Sequence, residues 1–237
     1  LRDASRLKAD DAMAMRDDDA PADLRSFGRR RGRKRSARQQ RLLDELLPRV
    51  TLDVSNLPSA PLWLEIGFGG GEHLLHQARA NPGVTLIGCE PFEDGVVKVL
   101  DAIDRDNLGN IYIHADDARA ILRALPAASI DRAFVLFPDP WPKRKHHKRR
   151  LVNRALLADL ARVLAPGAEL RIATDIADYA RTMLMAFQSE PRFIWQVSGP
   201  ADWRARPVDW PPTRYEAKAL REGRASVYLR FVRREER

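Results

Sequence analysis

Cysteine is almost missing: Cys89 is the only one in 237 residues, so neither an internal disulfide nor a zinc motif built on paired cysteines can form. No apolar run approaches the roughly 18 residues of a membrane-spanning helix. The N-terminal residues mix Asp, Arg and Ala without the apolar stretch of an export signal. These absences predict a protein of the reducing cytoplasm. Acid is missing locally as well. Between residues 25 and 41 stand Arg25, Arg29, Arg30, Arg31, Arg33, Lys34, Arg35, Arg38 and Arg41 with no carboxylate among them.

What is present fits one main domain with appendages, since 44% hydrophobic content over this length can bury a substantial core. The formal net charge of +8 points to a polyanionic partner only if the cations cluster, and they do. Beside the basic arm there is a second group, Lys143, Arg144, Lys145, Lys148, Arg149, Arg150 and Arg154, with His146 and His147 inside it. Residues 1–24 hold seven acids and four basic residues with few large apolar groups and read as a disordered acidic leader. Residues 25–59 form a basic arm and helix, and 60–237 the main domain.

In that domain short apolar runs alternate with helical patterns, the signature of a mostly parallel sheet with helices on both faces. Strands are predicted at Leu62–Ile66, Val84–Cys89, Asn110–His114, Arg132–Phe137 and Glu169–Ala173, with later ones at Phe193–Val197 and Ser226–Val232. Helices are predicted at Glu72–Arg79, Phe92–Asp104, Arg119–Leu125, Asn153–Leu164 and Ile176–Gln188, the fourth stopped by Pro166-Gly167. Ligands of such sheets bind beyond the carboxyl ends of the strands.

The first strand runs into Glu65-Ile66-Gly67-Phe68-Gly69-Gly70-Gly71-Glu72, a glycine-rich turn that opens a helix. Glu72 stands where a dinucleotide fingerprint needs its last glycine, and a carboxylate there repels a pyrophosphate. S-adenosylmethionine has no phosphate and carries an amino group and a sulfonium, so acidic neighbours suit it. A tight strand-to-helix turn with no ligand explains the glycines equally well. Glu90 ends the second strand, about where a carboxylate receives ribose hydroxyls. At Asp116-Asp117 one acid can accept from an adenine amino group, or either can cap the following helix.

The fourth strand leads into Phe137-Pro138-Asp139-Pro140-Trp141-Pro142-Lys143, where three prolines stiffen the backbone. A carboxylate, an indole and an ammonium stand close together there, suited to hold a purine beside phosphate. His73 and His76 make one helical pair and read as surface or core histidines, so no metal is expected.

With these residues in view, the chain resembles the bacterial tRNA (guanine-N7)-methyltransferases. The carrying motifs are Leu64 to Gly69, Gly88-Cys89-Glu90, Phe137 to Lys143, Lys148-Arg149-Arg150, Ala173-Thr174-Asp175 and Thr213-Arg214-Tyr215-Glu216, over roughly Arg25 to Val232. The resemblance implies a Rossmann-like class I methyltransferase, with a seven-stranded mostly parallel sheet, acting on guanine 46 of the tRNA variable loop. It implies that Glu65, Gly67, Gly69, Glu90, Asp117 and Asp139 contact S-adenosylmethionine, with Asp139 also catalytic. By the same resemblance Lys143, Asp175, Thr213, Arg214, Tyr215 and Glu216 bind substrate, while the basic run Lys145, Lys148, Arg149 and Arg150 is expected to hold RNA. Tyr215 departs from the phenylalanine expected there, and the acidic leader has no counterpart. A monomer or homodimer is expected. The alternatives are a methyltransferase for another RNA or a small molecule, and an RNA-binding module without catalysis.

Overall fold

A computed structural model of the chain describes residues 35–235, so the acidic leader and the arm from Arg25 to Lys34 lie outside the described residues. Seven strands form one sheet: β1 (Leu62–Ile66), β2 (Thr85–Cys89), β3 (Ile111–His114), β4 (Ile130–Leu136), β5 (Leu164–Thr174), β6 (Phe193–Trp195) and β7 (Val227–Arg233). Their order is β3-β2-β1-β4-β5-β7-β6, and β1 to β5 are parallel while β7 runs antiparallel to β5 and β6. The chain reverses direction from β1 at the centre, so the ends of β1, β2 and β4 flank the crevice where such sheets take ligands.

Eight α-helices are described: α1 (Ala37–Arg41), α2 (Glu72–Ala80), α3 (Glu93–Asp106), α4 (Ala118–Ala124), α5 (Arg154–Val163), α6 (Ala177–Gln188), α7 (Ala201–Arg204) and α8 (Arg214–Arg221). Alternation along the strands divides the core. Leu62, Leu64, Ile66, Ala133, Val135, Leu170 and Ile172 face α4, α5 and α6. On the other face, Leu74 and Ala78 of α2 and Val96, Val99, Leu100 and Ile103 of α3 pack on β2 and β3. Over β4, β5 and β7 that second face carries no long helix among the described residues. Phe134, Leu136, Ala173 and Tyr228 are covered there by Trp210, which belongs to the irregular segment before α8.

Ser36 and Gln39 form a reciprocal capping box at α1, and Arg38 pairs with Asp101 and Asp104 of α3 at 2.9 Å each. The basic stretch therefore ends by docking on α3. One expectation fails in detail. Pro166-Gly167 does not stop α5, which ends at Val163 because Leu164 already pairs with Ile130. Ile130 and Arg132 are two residues apart whereas their partners Leu164 and Glu169 are five apart, so the proline and glycine sit in a bulge of β5.

Gly95, inside α3, is where the helix meets the glycine-rich turn: a Cβ at this position would overlap the carbonyl oxygen of Gly69. Gly95→Ala should lower stability by about 1–3 kcal/mol in urea denaturation. The sign is diagnostic, because helix propensity alone would raise it by about 1 kcal/mol.

Candidate active site

The turn after β1 is left-handed at three glycines, with φ of 75° at Gly67, 57° at Gly69 and 79° at Gly71. L-residues rarely adopt these angles, and a Cβ at Gly71 would also collide with Val99. At Gly67 an added Cβ would meet nothing within 4 Å, so the main chain there is open to a ligand. The Gly67 amide donates to the carbonyl of Cys89 at 2.8 Å, which joins the turn to the end of β2.

Glu90 braces this turn. Its Oε2 accepts from the Gly69 amide at 2.7 Å and its Oε1 from the Phe92 amide at 2.9 Å. The side chain is buried, which pushes its pKa up. The two amides and Arg214 act in the opposite sense, and the nearby charge of Asp139 adds to the rise. Glu65, at the end of β1, is buried and has its Oε2 2.7 Å from Nδ1 of His73. The histidine is thus a core residue, while His76 is exposed.

Asp117, one of the expected cofactor contacts, is also the N-cap of α4. Its Oδ1 accepts from the Arg119 amide at 2.9 Å and from Arg119 Nε at 2.8 Å, and its Oδ2 accepts from Arg119 Nη2. Burial raises its pKa, but the Arg119 hydrogen bonds outweigh that and hold it below the usual carboxylate range. The neighbouring Asp116 instead lines a cavity of about 320 Å³ together with Pro91, Ala115 and the apolar side chains Leu43 and Leu47.

After β4 the chain enters the proline-rich loop with Phe137 at φ 50° and Trp141 at φ 43°, both in the left-handed region. The Phe137 amide donates to Ala173 at 2.8 Å, and Arg149 lies 5.0 Å over the Trp141 ring. Arg150, expected in the RNA-binding run, has its side chain engaged within the fold. It is buried, with Nε donating to the Pro140 carbonyl at 3.0 Å, Nη1 to Thr182 at 2.6 Å and Nη2 to Asp178, while the guanidinium covers Tyr179. It clamps the loop to α6. Lys143, Lys145 and Lys148 are exposed beside it.

The third wall is α8. Thr213 is its buried N-cap, accepting from the Glu216 amide at 3.2 Å. A Cβ on Gly69 would meet the Tyr215 hydroxyl at 3.0 Å and Arg214 Nη2 at 3.3 Å, so the start of α8 lies directly over the glycine turn. Tyr215 also stacks on Phe137, with ring centroids 6.4 Å apart and planes 16° apart, which joins α8 to the proline-rich loop. Glu216 accepts from the Tyr228 hydroxyl and pairs with Arg206 at 3.2 Å. Asp175, at the end of β5, pairs with Arg224 at 2.7 Å. Sequence reading missed α8 as an element because the helix is short and mostly charged, with only Ala219 of its residues buried.

Arg150→Lys keeps the charge and loses the fork. We expect about 2–4 kcal/mol of destabilisation by thermal melting, because buried acceptors are left unpaired.

Residues 59–229 match the model of a family described as "Putative methyltransferase". The tRNA (guanine-N(7)-)-methyltransferase of Rhodospirillum rubrum is 50% identical over 226 residues, 90% of this chain and 89% of that protein. The enzyme of the same name from Roseobacter denitrificans is 49% identical, covering 87% of this chain and 95% of its own. Among solved structures, the 16S rRNA methyltransferase KamB aligns with a TM-score of 0.52 at 16% identity, covering 86% of this chain and 96% of its own. The cyclase SpnF aligns at 0.51 and 15% identity, covering 82% and 81%, so the fold alone does not fix the reaction. Sequence identity does what the fold does not: the chain belongs to the tRNA (guanine-N7)-methyltransferase family.

Proposed function

We propose that this protein transfers the methyl group of S-adenosylmethionine to N7 of guanine 46 in the variable loop of tRNA. The observation that carries this reading is the meeting of the braced glycine turn, the Asp139 loop and the N-terminus of α8 at Gly69, Phe137 and Tyr215. It brings a cofactor cradle and a cationic, aromatic surface to one crevice.

The residues present fit the cofactor. Open main chain at Gly67 admits a ligand, and Glu65 and Glu90 supply negative charge where a dinucleotide phosphate would be repelled. The cofactor supplies an electrophilic methyl on a sulfonium. Glu65 and Gly67 would face its amino-acid end, Gly69 and Glu90 its ribose, and Asp117 its adenine, with the cavity of Asp116, Leu43 and Leu47 beside the base.

Guanine N7 has an in-plane lone pair. It forms the new N–C bond as the C–S bond breaks, so no proton is removed, and the formal positive charge passes from sulfur to the ring. A strong base is unnecessary; the protein's task is alignment, with reacting atoms held about 3–3.5 Å apart. Asp139, on a loop fixed by Arg150, the prolines and the Ala173 carbonyl, would orient the purine and favour the developing charge. Phe137 and Tyr215 offer the stacking surface, Arg214 lies over Tyr215, Asp175 would contact the substrate, and Lys143, Lys145, Lys148 and Arg149 would form a cationic rim for phosphate. Extracting the nucleotide costs a few kcal/mol, which these cations offset.

Asp139→Ala should abolish methyl transfer in a labelled-methyl assay while tRNA binding stays close to wild type; normal turnover refutes the assignment. Replacing Lys143, Lys145 and Lys148 with Ala should flatten the salt dependence of tRNA binding, its slope falling by about 0.7–0.9 for every phosphate that is no longer neutralised. Cofactor affinity should weaken on acidification from above the usual carboxylate range, because the raised pKa of Glu90 favours a protonated form that accepts fewer hydroxyls. Calorimetry with Glu90→Gln should give a flatter pH profile.

A further inference from the structure

His73 has no part in the chemistry above, yet both of its ring nitrogens are engaged behind the crevice. It is 3% exposed, its ring packs on Phe134 of β4 at 4.6 Å, and its two nitrogens lead one to the cofactor side and one to the RNA side. Nδ1 is 2.7 Å from Glu65 Oε2, and Nε2 is 3.2 Å from Nε2 of Gln77, which is also buried. An amide nitrogen only donates, so Nε2 of the ring accepts and the proton sits on Nδ1, where it donates to Glu65. The orientation of Gln77 supports this, since its Oε1 accepts from Asn81 Nδ2 at 3.2 Å. The other hydrogen on Gln77 Nε2 goes to the main-chain carbonyl of Asp209 at 2.8 Å.

Asp209 begins the connection to α8. Next to it, Trp210 packs on the His73 ring at 5.3 Å and on Phe134 and Tyr228. Its buried indole N–H has no hydrogen-bond partner among the described residues, so apolar and ring contacts hold this side chain there. Pro211 and Pro212 then fix the backbone up to Thr213, the buried cap of α8. A displacement of Trp210 is therefore passed on to Arg214 and Tyr215 rather than absorbed. This Trp210 segment is also what covers the helix-free part of the sheet face.

We infer that His73 is a positioning residue that couples the two binding sites. Through Nδ1 it orients the cofactor carboxylate Glu65, and through Nε2, Gln77 and Trp210 it seats the RNA-binding start of α8. The inference rests on the reading of the crevice as a site for S-adenosylmethionine and tRNA. Binding energy at either site then favours the arrangement that the other needs, and the effect is reciprocal.

Two conservative variants separate the two arms. Asn places its amide where Nδ1 stands, keeping the donor to Glu65 and losing the acceptor for Gln77. Gln reaches the position of Nε2, keeping that acceptor and losing the donor. Dissociation constants are measured on the full chain by calorimetry for S-adenosylmethionine, and by filter binding for an unmodified tRNA transcript with S-adenosylhomocysteine present. For His73→Asn we expect cofactor affinity within about twofold of wild type and tRNA affinity weakened about tenfold; for His73→Gln we expect the reverse. His73→Phe, which keeps a ring against Phe134 and Trp210, should weaken both.

If Asn and Gln alter the same ligand equally, or if Phe binds both normally, the ring serves packing only and the inference falls. Should Phe fail to fold, the Asn and Gln pair decides. A wild-type protein that binds no S-adenosylmethionine would overturn the proposed function instead, so the two failures are distinguishable.

Discussion

The crevice is organised around the carboxylate of Glu90. A turn with three left-handed glycines has little intrinsic preference for one shape, and the conformational entropy of glycine opposes its ordering. Glu90 supplies the missing definition, because each of its oxygens takes a main-chain amide, one from the turn and one from the start of α3. These are charge-assisted bonds in a buried setting, stronger than neutral ones. Gly95 lets α3 come close enough to reach the same turn, and Gly88 lets Leu74 and Phe68 close over β2. Without that brace, neither α8 nor the Asp139 loop has a fixed surface to meet.

Much of this is legible in the residues. Short apolar runs locate β1 to β5, and the polar residues at their ends mark the crevice. The glycine turn, Glu90 and the proline-rich loop stand out because each needs a special backbone or breaks an apolar pattern. What stays hidden is tertiary. A run of cations does not say which member is buried, and Arg150 is hidden because Asp178, Thr182 and Pro140, distant from it in sequence, converge on it. The bond from Arg119 to Asp117 is hidden too, because sequence leaves the direction of the arginine side chain open. His73 carries no signal, since its partners Glu65, Gln77 and Trp210 come from three elements. The extension of β5 through Pro166-Gly167 likewise depends on pairing with Ile130, a long-range interaction that local turn chemistry does not anticipate.

Charge is sorted by depth. The acids Glu65 and Glu90 are buried at the strand ends, where a low dielectric makes them effective partners for a small cation. The lysines after the loop stand in solvent, where their attraction is long-ranged and screened by salt, suited to gathering a polyanion rather than to fixing one atom. Between these layers lie the aromatic pair Phe137 and Tyr215, with the exposed Asp139 on the same loop, at the boundary where a base would pass from one regime to the other.

Phe137 and Trp141 hold left-handed backbone angles that glycine would adopt without strain. Each such residue costs of the order of 1–3 kcal/mol, so the loop sits above its own local minimum and persists because the rest of the domain overdetermines it. Stability and accuracy are therefore opposed at these two positions. Glycine would relax the main chain while removing the ring against which Tyr215 or Arg149 packs. Selection for a hardier fold alone would erode the loop, whereas selection for a well-aligned purine keeps the tension in place.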